Sequence, residues 1–155
     1  MLELISAAWV AQGVYTATKL GIIEALRTGP QSADTVAKTV CADPDAVYRL
    51  MRLLASRGVF TQQRNKTLRT RPMGEALLVD APDSVRGYVL FVGDPLHWEH
   101  WGRLSSSVRT GRCAMQELRG KPTFEWLEDV PELAAVFNDG MTSISKMETP
   151  VVVAA

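Results

Sequence analysis

The sequence predicts a mainly α-helical fold: a winged helix, extended by further helices at both ends and built to intertwine with a second copy of itself. Three observations predict it. Asp43 to Phe60 reads as a capped amphipathic helix, a glycine and the start of a short β-ribbon. Just ahead of it, Ser32-Ala33-Asp34-Thr35 starts a shorter helix, so that the pair makes a helix-turn-helix. Before both, Leu4 to Leu26 carries apolar residues around more of its circumference than one small domain needs.

In that first segment Leu4, Ala8, Ala11, Val14, Tyr15, Thr18, Ile22 and Ala25 trace a long apolar face, which Ile5, Trp9 and Ile23 widen. Gly21 divides it into two pieces, and Thr28-Gly29-Pro30 ends it. A second copy of the chain is the expected cover for the surplus apolar face. The next helix has Ser32 as its cap and turns Val36, Ala37 and Val40 inward. Its successor has Asp43 as cap and Pro44 at the first helical position, where a missing N–H costs nothing. Val47, Leu50, Met51 and Leu54 fall at i, i+3, i+4 and i+7, one stripe of a helix. Gly58 stands where a helix closes in a left-handed residue. Val59-Phe60 then opens a strand that turns at Arg64-Asn65-Lys66 and returns through Thr67 to Thr70.

Met73 to Leu78 makes another short helical turn, and Asp80-Ala81-Pro82-Asp83 is a linker. The second half is helical and richer in aromatics: Trp98, Trp101 and Trp126 are three of the chain's four tryptophans. Ser84 to Val92 reads as a helix, interrupted by Gly93-Asp94-Pro95. Leu96 to Val108 reads as the next, and Thr110 to Thr123 as a loop rich in glycine and basic residues. Phe124 to Leu127 is a short helix, and Pro131 to about Met147 a long one carrying Leu133, Val136, Phe137, Met141 and Ile144 at helical spacing.

A chain of 155 residues, 46% hydrophobic and 22% charged, suits one domain with a substantial core. Its formal net charge of zero supplies no general attraction to nucleic acid or to an anionic membrane. No run of about 18 apolar residues is present, so no membrane span is expected. Cys41 and Cys113 form neither a metal nor a redox spacing, which points to a reduced, cytoplasmic protein, and Met1 leads directly into a structured-looking segment with Glu3 near its start, so no signal peptide is expected.

The ordered segments Trp9-Val10-Ala11-Gln12, Lys19-Leu20-Gly21-Ile22, Ser32-Ala33-Asp34, Tyr48-Arg49-Leu50-Met51-Arg52-Leu53-Leu54-Ala55, Gly58-Val59-Phe60, Pro72-Met73-Gly74 and Phe137-Asn138-Asp139-Gly140-Met141 carry a resemblance. Together they resemble the N-terminal region of class I S-adenosylmethionine-dependent small-molecule O-methyltransferases, over nearly the whole chain. The resemblance implies a helical homodimerisation domain with a winged helix, followed by a Rossmann-like cofactor domain. The chain stops at Val151-Val152-Val153-Ala154-Ala155, about where that second domain would begin, and no G-x-G-x-G pattern occurs. On this reading S-adenosyl-L-methionine serves the full-length enzyme, whereas this chain holds no catalytic, cofactor-binding or metal residue and is inactive alone. It is one domain over residues 1–155, with residues 4–80 the first helix and winged helix and residues 84–148 a helical part that closes the acceptor pocket. Phe137, Asn138 and Met141 match the family's Phe-Asn-x-x-Met segment, which roofs that pocket, and Trp98, Trp101, Phe124 and Trp126 are further candidates for its wall. Gly140 stands where many relatives carry alanine. Such a wall suits a small hydroxylated acceptor, aromatic or polyketide-like.

Two other readings compete for the same residues. His97 and His100, at i and i+3, can face one metal or haem, but zinc needs a third and usually a fourth ligand, and no cysteine lies near in sequence. They are therefore read as ordinary helix or pocket histidines. From Asp43 to Arg71 seven bases face two acids, a local excess of +5. Arg49, Arg52, Arg64, Lys66, Arg69 and Arg71 are the type that grips phosphate, which makes a ligand-responsive winged-helix transcription regulator the alternative function. The helix offers no Asn or Gln for adenine, so a solvated face, or pairing with acids such as Glu125, Glu128 and Asp129, is preferred, and nucleic acid is not an expected partner.

Overall fold

The computed structural model describes residues 1–153, with side chains described through residue 149. It divides into two compact units, Met1–Arg86 and Gly87–Ala155.

The first unit holds α1 (Leu2–Lys19), α2 (Ile22–Ala25), α3 (Ala33–Thr39), α4 (Pro44–Ser56), β1 (Phe60–Gln62), β2 (Leu68–Thr70) and α5 (Pro72–Glu75). Gly21, at φ +78°, separates α1 from α2, the break its position predicts. Ser32 caps α3 by accepting from the Thr35 N–H, and Asp43 caps α4 by accepting from the Ala46 N–H. Val47, Met51 and Leu54 of α4 are buried, while Leu50 and Leu53 close on Gly13 of α1. A Cβ at Gly13 would sit 3.4 Å from the ends of both leucine side chains, at van der Waals contact. Gly58 has φ +82° and hands the chain to the wing, whose register pairs Phe60 with Thr70 and Gln62 with Leu68. Gln31 adds a one-residue bridge to Leu68 beside that ribbon. The core gathers Ile22, Ile23, Val36, Met51, Leu54, Phe60 and Leu68.

α1 is buried only over its second half, at Gly13, Tyr15, Ala17 and Thr18. Over its first half Leu4 is 75% and Trp9 71% exposed, beside exposed Met1, Leu2 and Ile5. Arg86 donates from Nη1 to the Thr18 carbonyl at 3.2 Å and to Glu24 Oε1 at 3.5 Å, tying the end of this unit back to its first helices.

The second unit holds the rest of α6 (Arg86–Val92), then α7 (Pro95–Trp101), α8 (Leu104–Thr110), α9 (Ala114–Arg119), α10 (Thr123–Glu128) and α11 (Pro131–Val153). Met115, Trp126, Leu127 and Leu133 form its core, with Leu96, Val130, Ala134 and Phe137 packed on them. Two expectations are corrected here. The helix expected over Leu96–Val108 is two helices, α7 and α8, because Gly102 is a poor helix interior and the Arg103 N–H bonds only three residues back, to His100. The loop expected over Thr110–Thr123 contains α9, which Gly120 closes at φ +72°, as Gly111 at φ +71° closes α8 before it. α6 and α11 meet through glycines: a Cβ on Gly87 would lie 2.8 Å from the Asp139 carbonyl carbon, and one on Gly140 would lie 3.3 Å from the Gly87 oxygen and the Phe91 Cβ.

Candidate functional site: an aromatic cavity in the second unit

Five helices of the second unit surround a cavity of about 250 Å³. α6 contributes Phe91, α7 contributes His97, His100 and Trp101, and the segment into α9 contributes Cys113, Ala114 and Met115. Thr123, Trp126 and Leu127 come from α10, and Leu133 and Phe137 from α11. The wall is mostly rings, a soft thioether and aliphatic carbons, the lining that takes an apolar, flat ligand.

Local sequence places the α7 side chains. Asp94 accepts from the Leu96 N–H at 2.9 Å, and Pro95 occupies the first turn, so the helix starts at a defined residue. From that start His97 and Trp101 are i and i+4 neighbours, and the Trp101 indole N–H donates to His97 Nε2 at 3.0 Å. The His97 ring stands 4.6 Å from Phe91, which meets Phe137 edge-on at 5.1 Å, and Phe137 in turn meets Phe124 at 6.0 Å. These are the tilted and edge-to-face arrangements aromatic rings prefer. On the opposite flank His100 lies edge-on to Trp126 at 6.1 Å, and the Arg119 guanidinium sits over the same indole at 5.0 Å while pairing with Glu99.

Burial holds both histidines below the usual imidazole range. The His100 charge depresses His97 further and Asp94 opposes that; Arg119 depresses His100 and Glu99 opposes it. Both are thus neutral near pH 7. His97 Nε2 accepts a hydrogen bond from the Trp101 indole N–H, so its lone pair is already engaged. His100 Nε2 is buried and has no hydrogen-bond partner among the described residues.

Of the residues expected at an acceptor pocket, Phe137, Trp101 and Trp126 lie in one lining. Phe124 reaches it through the Phe137 ring and is 72% exposed. Trp98, on α7, is half-buried, its indole Nε1 buried and without a partner among the described residues, and is not in the lining. Asn138 is exposed and Met141 half-buried on α11, and neither lines this cavity. Sequence reasoning missed Phe91, Met115, Leu127 and Leu133 as lining residues. Met115 carried no readable signal, since α9 is six residues long, too short to show a period.

In the first unit, Arg52 lies over the Tyr48 ring at 5.7 Å and Arg49 Nε donates to the Asp45 carbonyl at 3.4 Å, so α4 turns part of its charge onto itself. Asp129 of the second unit pairs with Lys121 at 2.5 Å. Among the described residues, no helix is long and apolar enough to cross a membrane.

The family model of the O-methyltransferase dimerisation domain matches residues 2–80. The chain is 32% identical over 154 residues to a mitomycin biosynthesis 6-O-methyltransferase of Streptomyces lavendulae, covering 99% of this chain and 44% of that one. It is 30% identical over 155 residues to the phenazine O-methyltransferase PhzM of Lysobacter antibioticus, covering 100% of this chain and 45% of that one. The structure superposes on the crystal structure of LaPhzM with a TM-score of 0.93, at 30% identity, over 99% of this chain and 46% of that one. On the mitomycin 7-O-methyltransferase MmcR the TM-score is 0.86, at 31% identity, over 99% of this chain and 45% of that one. The chain spans less than half the length of the curated relatives it matches. These relatives are methyltransferases and lend no support to a DNA-binding regulator.

Proposed function

The chain belongs to the O-methyltransferase dimerisation-domain family, and from that premise we propose that it dimerises and walls the acceptor pocket of an S-adenosylmethionine-dependent O-methyltransferase. The acceptor is a small, hydroxylated, flat molecule, as the substrate names of the mitomycin and phenazine relatives lead one to expect. The observation that carries the reading is the ring-lined cavity of about 250 Å³ within the second unit. Its size is near the lower end of small-molecule sites, typically about 300–1,000 Å³. A wall of this kind contributes positioning: it excludes water from one face of the acceptor and holds the ring while a hydroxyl is presented to the methyl donor.

We infer that S-adenosyl-L-methionine serves the full-length enzyme and is not held by these residues. Among the described residues the strands are the antiparallel wing, and the left-handed glycines close helix ends and turns rather than a strand-turn-helix. No step of methyl transfer is therefore assigned to these residues, and the chain alone is expected to be inactive. Cytoplasmic placement accords with the two exposed, unpaired cysteines, Cys41 and Cys113.

The homodimer is supported by the exposed apolar first half of α1. The test of the pocket uses an enzyme that contains this chain together with its cofactor domain. Phe137→Ala, and separately Trp126→Ala, should raise the acceptor KM by roughly tenfold with the S-adenosylmethionine KM unchanged. Variants that only lower the melting temperature, with acceptor kinetics intact, would return both residues to a packing role. Turnover of S-adenosylmethionine by these 155 residues alone would also refute the reading.

A further inference from the structure

Two of the rings that line the cavity each sit one helical turn from a glycine. Phe91 follows Gly87 by four residues on α6, and Phe137 precedes Gly140 by three on α11, so each ring shares a helix face with its glycine. Where the two helices meet, the glycines meet. A Cβ on Gly87 would lie 2.8 Å from the carbonyl carbon and oxygen of Asp139 and 3.0 Å from the Gly140 nitrogen. A Cβ on Gly140 would lie 3.3 Å from the Gly87 oxygen and the Phe91 Cβ, and 3.4 Å from the Tyr88 Cα. Backbone rests on backbone at this crossing, closer than side chains permit. One turn away, the Phe91 and Phe137 rings stand edge-on at 5.1 Å, both in the cavity wall.

We propose that the Gly87–Gly140 crossing sets the width of the cavity, so that this pair determines the size of aromatic acceptor the chain admits. The proposal rests on reading the cavity as the acceptor pocket and deepens it. Neither glycine lines the cavity; both are positioning residues that act through the rings they carry. A methyl at position 140 meets the Phe91 Cβ, the atom from which the ring hangs. Relieving that contact moves Phe91 away from α11 by a few tenths of an ångström. Phe137 belongs to α11 and does not follow, so the two ring walls part. At position 87 the collision is with backbone, which holds the helices at this spacing more firmly still. With both glycines in place α6 and α11 are at their closest, and the cavity of about 250 Å³ fits a flat acceptor of one or two fused rings.

The probes are quinoline and acridine, flat ring systems that differ by one fused ring, in mildly alkaline buffer where both are uncharged. Binding to the full chain is followed on the Met115 methyl resonance, since Met115 lines the cavity. The unsubstituted chain should bind quinoline more tightly than acridine. Gly140→Ala should move the ratio of the two affinities toward acridine by roughly tenfold, the scale on which an apolar pocket senses a small change of fit. Gly120→Ala separates this effect from lost stability. Its φ of +72° strains any other residue, yet a Cβ there meets nothing within 4 Å, so it should lower the melting temperature and leave the ratio unchanged. A ratio that Gly140→Ala leaves in place, or that Gly120→Ala moves as far, overturns the proposal while the cavity reading stands. Acridine bound as tightly as quinoline by the unsubstituted chain overturns it too. So does a Gly140→Ala chain that fails to fold, because the proposal requires a crossing that yields. Failure of both probes to move the Met115 methyl in the unsubstituted chain overturns the cavity reading and the proposal with it.

Discussion

At the scale of single residues, the second unit is tuned by two neutral imidazoles. In the unfolded chain both titrate near about 6.5. In the fold burial depresses both, so as pH falls through that value the unfolded state takes up protons that the folded state refuses. The stability they contribute is complete above the unfolded value and is lost as pH falls through the folded values. Thermal melts of the chain should show the melting temperature declining from pH 7.5 to 5.5, and the His97→Gln/His100→Gln double variant should show a flatter slope. A profile as steep in the double variant would assign the effect elsewhere. Gly74 is a second residue-scale case. A Cβ there would lie 2.6 Å from the Val59 carbonyl oxygen and 2.7 Å from the Thr70 Cγ2, so α5 seats against the wing only because it has none. Gly74→Ala should cost about 1–3 kcal/mol, readable in denaturant titration, because backbone cannot move aside as a side chain can. Gly140→Ala meets its neighbours at 3.3 Å or more and should cost less. That difference explains how alanine, which the resemblance places at Gly140 in relatives, can be accommodated there.

At the scale of elements, α4 is framework. Its Asp43 cap, its buried Val47, Met51 and Leu54, and the leucines that close on Gly13 set the position of α1 and the wing. Asp43→Ala should lower stability by about 1 kcal/mol through the lost cap bond to the Ala46 N–H, whereas Arg49→Ala on the exposed face should change it by less than half that. A recognition helix would show the reverse emphasis, with DNA affinity falling on loss of the arginine. Element boundaries were legible wherever one residue does the stopping: Gly21, Ser32, Asp43, Gly58 and the Asp94-Pro95 start all act within one turn of themselves. They were illegible where length was short. α9 buries one methionine in six residues, so it has no period to read, and Gly102 ends α7 although the apolar and aromatic pattern runs on past it.

At the scale of the whole molecule, the exposed first half of α1 is the surface most at odds with a lone chain. Trp9→Glu, combined with Leu4→Glu, places charge on that face and should convert a dimer to a monomer in sedimentation velocity while the far-UV spectrum persists. A dimer that survives both changes would move the interface away from α1. The surplus was visible in the sequence, because apolar residues on too many sides of a helix announce a missing cover whatever the fold. The same holds for the helix-turn-helix, the wing and the zero net charge: each is a local or summed property, carried by spacing, caps and counts. The cavity was not of that kind. It joins Phe91, His97, Met115, Trp126 and Phe137, drawn from five helices and spread over 47 positions, and only packing brings them to one wall. Packing also separated His97 from His100, since whether a ring nitrogen is bonded or left bare depends on neighbours that no spacing along the chain specifies.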